Sequence, residues 1–208
     1  MPLVARKWFT IGALSMAVLL TGMASEVRAD FEAALTAYRL GDHSKAFTLF
    51  EDLASTGHVK AQHMLGEMYR KGQGVPRNLQ DAARWYQKAA ELDYADAQYH
   101  LGLMYDEGLG VTLNDELALK WYEAAARNGV IDAQYNLALM YEAGEGATKD
   151  DSWAYAWFDV AANHGDPVAQ MKRAELAATM TQQELDQATV RSQDLQSSLE
   201  QSTPHRSH

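Results

Sequence analysis

Seven histidines, several paired carboxylates, three Gly-x-Gly turns and recurring Trp-Tyr pairs are the features of this 208-residue chain that could carry chemistry. A zinc site needs ligands at helical or turn spacing, such as His-Glu-x-x-His, and His43, His58, His63, His100 and His164 show no such spacing. His205 and His208 form only a compositional hint of metal binding in the tail. The turns Gly72-Gln73-Gly74, Gly108-Leu109-Gly110 and Gly144-Glu145-Gly146 could cradle a phosphate only after a strand and before Gly-Lys-Ser/Thr, and neither context is present. Asp106-Glu107 and Asp150-Asp151 lie at expected helix ends and read as solvated caps rather than acid/base pairs. The chain has no cysteine and no Ser-x-x-Lys, so the common nucleophile motifs are missing. The sequence therefore assigns no catalytic residue, no metal ligand and no cofactor.

The elements that hold these residues repeat. Ala61, Gln62, Leu65, Met68, Tyr69, Gly72 and Gly74 return 36 residues later as Ala97, Gln98, Leu101, Met104, Tyr105, Gly108 and Gly110. They return again as Ala133, Gln134, Leu137, Met140, Tyr141, Gly144 and Gly146, and a fourth copy opens at Ala169-Gln170 and then departs. The second half of each unit keeps register too: Ala82, Trp85, Tyr86, Ala89 and Ala90 recur at Ala118, Trp121, Tyr122, Ala125 and Ala126, then at Ala154, Trp157, Phe158, Ala161 and Ala162. Self-similarity at this period marks a repeat array, whose units are stable only when stacked. One continuous array is the simplest expectation.

Ala61, Leu65, Met68 and Tyr69 fall at i, i+4, i+7 and i+8, one stripe of a helix. Each unit thus predicts a first helix ending at Gly72, Gly108 or Gly144, where a left-handed cap is needed. A second helix follows over about 79–91, 115–127 and 151–163, with Asn78, Asn114 and Asp150 as N-caps. Alanine pairs allow close helix approach, and the tryptophans are expected to fill the space between helices. Residues 30–57 read as a truncated capping unit, with helices from Phe31 and from about Lys45 and Asp42 as a cap. Three full units cover 58–165, and 166–200 holds a partial repeat followed by a polar helix. Thr181 and Glu184 form a capping box for that helix, with Leu185, Ala188, Val190, Leu195 and Leu199 as its apolar content. Residues 201–208 read as a disordered tail.

Residues 1–29 differ in kind. A basic start (Arg6, Lys7), an uncharged stretch from Trp8 to Ser25 and Val27-Arg28-Ala29 fit a secretory leader cleaved before Asp30. Such a stretch is also at the lower edge of a membrane span, so retention as an anchor is the alternative. With the leader removed, the 18 basic and 28 acidic residues lose 3 and 1, leaving 15 and 27 and a net charge of −12. That balance argues against nucleic-acid binding, which needs a basic surface. No stable membrane insertion is expected of the mature chain, and its compartment is periplasmic or extracellular.

The string from Ala97 to Val111, Ala-Gln-x-x-Leu-Gly-x-Met-Tyr-x-x-Gly-x-Gly-Val, followed by Ala118-x-x-Trp121-Tyr122-x-x-Ala125-Ala126-x-x-Gly129, resembles the Sel1-like repeat, a relative of the tetratricopeptide repeat. Departures are Ala138 for Gly66 and Gly102, Ala147 for Val75 and Val111, and Asp93 for a terminal glycine. The resemblance implies an all-α fold, an α/α right-handed superhelical solenoid of helical hairpins. It also implies a scaffold for protein complexes, often in bacterial envelopes, with no shared catalytic centre. A cysteine-rich minority of that family is linked to β-lactam binding or hydrolysis, and this chain lacks the cysteines.

One face of the first helices is left unused by the signature. Positions 63, 67 and 70 read His63, Glu67, Arg70, then Tyr99, Leu103, Asp106, then Tyr135, Leu139, Glu142. Tyrosine and leucine recurring in register are unexpected on a solvent face, and first helices line the concave side of a solenoid. Tyr99, Leu103, Tyr135 and Leu139, flanked by His63, Met64, His100, Asn136 and Met171, are therefore candidates for a groove that binds a protein or peptide. The alternative is that they fill contacts between successive first helices. The expected function is an exported adaptor. A cell-wall or β-lactam hydrolase would need a nucleophile that is missing, and a secreted host-directed effector would differ only in destination.

Overall fold

The computed structural model describes residues 27–202, and among them every regular element is a helix. Most of the expected leader and the end of the tail lie outside the described residues. Where the sequence predicts one array, the chain divides into two compact units, Met1–Arg77 and Asn78–His208. The division falls in the loop between the two helices of the first full repeat.

The first unit holds α1 (27–39), α2 (His43–Ser55) and α3 (Val59–Lys71). Helix α1 begins four residues before Phe31, because 27–30 contain no helix breaker. Its buried Ala34 and Ala37 allow close approach, while Phe31 meets Phe50 at 5.8 Å and stacks on His58 at 4.6 Å. Asp42 caps α2 as expected, accepting from the Lys45 N–H. His58 caps α3 through Nδ1, which accepts from the Ala61 N–H at 3.2 Å. Glu67 lies on the face that the signature leaves unused, is only 7% exposed and is paired with Arg70 at 2.8 Å and with Lys71.

The second unit runs α4 (Leu79–Ala90), α5 (Ala95–Glu107), α6 (Asp115–Arg127), α7 (Ile131–Ala143), α8 (Asp151–Asn163), α9 (Pro167–Ala177) and α10 (Gln182–Ser202). Neighbours in sequence pack against each other from α4 to α9, and α10 returns onto α8. The caps match the sequence: Asn78, Asn114 and Asp150 accept from N–H groups in the first turns of α4, α6 and α8. Gly108 and Gly144 close α5 and α7 in the left-handed region, and Asp93 adopts φ 58° where other units have glycine.

The aromatic assignment needs correction. Trp85 and Trp121 are only partly buried, with Lys88 and Lys120 over their rings at 3.9 and 5.0 Å. The fully buried rings are Tyr86, Tyr122 and Phe158, with Trp157 alone among these tryptophans in the core. One residue is 100° around a helix, enough to move the inward position from Trp to its neighbour. Gly102 makes room for Tyr122, whose ring lies 2.7 Å from where a Cβ would stand.

The signature glutamine also has a role that its type alone did not disclose. Buried Gln98 donates from Nε2 to the Ala90 carbonyl at 3.2 Å and accepts from Asn128 Nδ2 at 3.0 Å. Gln134 donates to the Ala126 carbonyl at 3.1 Å, and its Oε1 accepts from His164 Nδ1 at 3.2 Å. Each glutamine thus ties the end of one second helix to the end of the next, satisfying carbonyls that helix termini leave open.

Helix α10 closes the unit. The capping box forms, with Glu184 Oε2 accepting from Thr181 N–H at 2.8 Å and Thr181 Oγ1 accepting from Glu184 N–H at 3.3 Å. Ala188, Ser192, Leu195 and Leu199 make the buried seam. Val190, expected within it, is 56% exposed instead. Polar contacts complete the docking. Arg191 Nη1 reaches both Asp150 oxygens at 3.0 Å and its guanidinium lies 4.8 Å over Trp153. Asp159 accepts from Arg173, Ser192 and Gln196. Arg173 stands where the earlier units have Leu65, Leu101 and Leu137. No helix among the described residues is long and apolar enough to cross a membrane.

Candidate functional site

Seven of the nine predicted binding residues lie in the second unit. Tyr99 and Leu103 stand on α5, Tyr135 and Leu139 on α7, and all four are partly buried with their inner sides packed against the core. They are neither free side chains nor sealed ones. Tyr99 lies 6.0 Å from Tyr122 and Tyr135 lies 5.7 Å from Phe158, so each tyrosine leans on the buried ring of its own repeat.

The Tyr122 hydroxyl donates to Asp106 Oδ2 at 2.9 Å, which ties α6 to α5, and Asn136 of α7 works to lower the pKa of the Tyr99 and Tyr122 hydroxyls. Burial raises the Tyr99 hydroxyl above its ordinary pKa, with the Asp132 charge adding to it. Burial, and then Asp106, push Tyr122 further in the same direction. Both hydroxyls stay protonated and act as fixed hydrogen-bonding groups. His100 stacks on Tyr86 at 5.1 Å, which fixes the ring against α4.

Met171 is 55% exposed on α9, near Val168 at 45%. His63 and Met64, the two remaining predicted residues, are half-buried on α3 in the first unit. The structure thus gathers Tyr99, His100, Leu103, Tyr135, Asn136, Leu139 and Met171 on the first helices of one unit, and places His63 and Met64 in the other.

The geometry offers a half-buried apolar surface with fixed polar groups and no nucleophile held by a base. Recognition is the chemistry this arrangement supports.

No curated protein matches the chain. Among solved structures it is similar to a Sel1 repeat protein from Oxalobacter formigenes, with 33% identity and a TM-score of 0.65 over 68% of this chain and 58% of that one. It is also similar to c5321, a protective antigen of uropathogenic Escherichia coli strains that displays an SLR fold. There the identity is 31% and the TM-score 0.67, covering 74% of this chain and 34% of that one. The chain therefore spans less than two thirds of the length of either relative. The Sel1 repeat profile matches residues 59–94, 95–130 and 131–166, each one residue later than the corresponding unit of the 58–165 stretch read from the sequence. The fold class is the all-α helical-hairpin solenoid, Sel1 repeats serve protein–protein interaction, and the chain belongs to the Sel1 repeat family.

Proposed function

We propose that this chain is an exported scaffold or adaptor of the bacterial envelope that binds a segment of another protein across the first helices α5 and α7. The observation that carries this reading is the pair of half-buried stripes, Tyr99 with Leu103 and Tyr135 with Leu139, in register one repeat apart. Their inner edges are held by packing against the core and against the buried rings of Tyr122 and Phe158, which pre-orders the surface and lowers the entropy lost on binding. Their outer edges, continued by exposed Met171, supply the apolar area that a peptide needs. Export rests on the leader-like residues 1–29, and placement in a periplasmic or extracellular complex follows from it.

Photo-crosslinking in intact cells tests this reading. A photoreactive residue at Leu103 or Leu139 is expected to trap a discrete partner in the envelope fraction, while one at Arg127 on α6 traps little. Equal yields from all three positions, or recovery of the chain only from cytosol, would overturn it.

A further inference from the structure

We infer that the segment bound on α5 and α7 is cationic, with apolar residues between its positive charges. This rests on the peptide-binding reading above and adds the chemistry of what is bound.

The first helices α5 and α7 carry the same stripe at i, i+3, i+7 and i+10: Asp96, Tyr99, Leu103, Asp106 on one and Asp132, Tyr135, Leu139, Glu142 on the other. Each stripe is apolar in the middle and acidic at both ends. Neither helix contains a lysine or arginine, although α4 and α6, which pack beside them, carry Arg84, Lys88, Lys120 and Arg127. Lysine and arginine on α4 to α7 are thus confined to the second helices, which carry Asp81, Asp115, Glu116 and Glu123 as well, whereas the stripe acids have no lysine or arginine on their own helix.

The same positions differ on the flanking first helices. On α9 they are Val168, Met171, Glu175 and Ala178, and on α3 they are Lys60, His63, Glu67 and Arg70. The acid-Tyr-Leu-acid pattern therefore belongs to two repeats and is no requirement of the repeat fold. Its field reaches the apolar centre, since the Asp132 charge acts on the Tyr99 hydroxyl.

Spacing sets the form of the ligand. Ten residues of helix span about 15 Å, the reach of roughly four to five residues of extended peptide. A strand-like segment laid along the helices would place a cation at each end and apolar side chains over Tyr99, Leu103, Tyr135 and Leu139. An acidic rim around an apolar centre favours such a segment and rejects acidic ones by like-charge repulsion. Asp106 is engaged by Tyr122, Glu142 lies 4.0 Å from Lys172 and Asp96, though exposed, acts on the Tyr94 hydroxyl, which leaves exposed Asp132 as the stripe acid most available to a ligand.

The test is fluorescence anisotropy on the full mature chain, with a short labelled peptide in which arginines bracket Leu-Phe-Leu. Two further peptides serve as probes, one with glutamates for the arginines and one with serines for the apolar core. The arginine peptide is expected to bind at least about tenfold more tightly than either, more weakly as salt rises. Asp96→Asn with Asp132→Asn should lose about tenfold, Glu116→Gln on exposed α6 should lose nothing, and Leu139→Asn should also lose affinity, each variant keeping its helical circular dichroism. Equal binding of arginine and glutamate peptides, lost in Leu139→Asn, would overturn the charge inference and leave the groove intact. Binding indifferent to Leu139→Asn, or no binding by any peptide, would overturn both. Equal loss in Glu116→Gln would reduce the effect to net charge and also overturn the inference.

Discussion

Gly110 stands directly on the backbone of Leu79: a Cβ added to it would lie 2.4 Å from both the carbonyl carbon and the carbonyl oxygen. The same contact recurs at Gly146 on Asp115 and, within the first unit, at Gly74 on His43. In each case the second glycine of the loop seats on the first residue of the second helix one repeat back. These glycines couple repeats as well as turning the chain, because only a residue without Cβ fits so close to another backbone.

A first prediction contrasts two glycines. Gly129 has φ 84° with nothing within 4 Å of an added Cβ, whereas Gly110 has φ 73° and the Leu79 clash. Gly129→Ala should cost about 1–2 kcal/mol, the left-handed penalty alone. Gly110→Ala should cost that plus about 1–3 kcal/mol of overpacking. Urea unfolding measures both, and equal losses would refute the coupling.

A second concerns pH. His58 caps α3 only while Nδ1 is unprotonated, and burial, with a smaller contribution from Lys60, lowers its pKa below the ordinary 6.5 although a backbone hydrogen bond works the other way. The unfolded chain then binds the proton more readily, so stability present above pH 6.5 should decline as pH falls from there through the folded pKa. His58→Asn keeps a capping acceptor without a titratable group. It should flatten that part of the profile in thermal melts between neutral and mildly acidic pH.

A third tests the docking of α10. Burial works to raise the Asp150 carboxyl, but the Trp153 N–H and the Arg191 guanidinium outweigh it and hold the group below its ordinary 3.8. The contribution of this contact is therefore present above pH 3.8 and is lost as pH falls through the folded pKa. Arg191→Ala should raise hydrogen exchange across α10 while leaving α4 to α6 protected, at a cost of about 1–2 kcal/mol for a charged, partly exposed contact.

A fourth compares buried glutamines. Gln98 and Gln134 use both ends of the amide, while Gln62 donates to the Ala54 carbonyl at 3.4 Å and its buried Oε1 has no partner. Replacing Gln134 by Leu should cost about 2–3 kcal/mol, leaving two polar groups to find water, and replacing Gln62 should cost about 1 kcal/mol less. Chemical denaturation of the two variants decides the order.

Much of the architecture was legible because it is local. The Ala-Leu-Met stripe, the αL glycines, the Asn and Asp caps and the Thr181–Glu184 box depend on residues within a turn or two, where type and spacing determine the outcome. The inward turn of Tyr86 and Tyr122 rather than Trp85 and Trp121 was not legible, since both lie near the apolar face and packing chooses between them. Arg191 on Asp150 is 41 residues away in sequence and follows no period, so nothing in the pattern paired them. Of the candidate site, the positions of Tyr99, Leu103, Tyr135 and Leu139 came from register alone. Their half-burial came from how α5 packs on α6 and α7 on α8, which sets each tyrosine against the buried ring of its own repeat.

The glycine seats on Leu79 and Asp115 repeat with the period, but α8 receives Arg191 in place of another such loop. The array is modular inside and closed at its end. An engineer who wished to lengthen it would splice a new 36-residue unit at the 130/131 junction, where both edges present the same backbone seat. Appending one after Ala178 would fail, because the terminal helix would have to be evicted, taking Arg191 from Asp150 and Ser192 and Gln196 from Asp159.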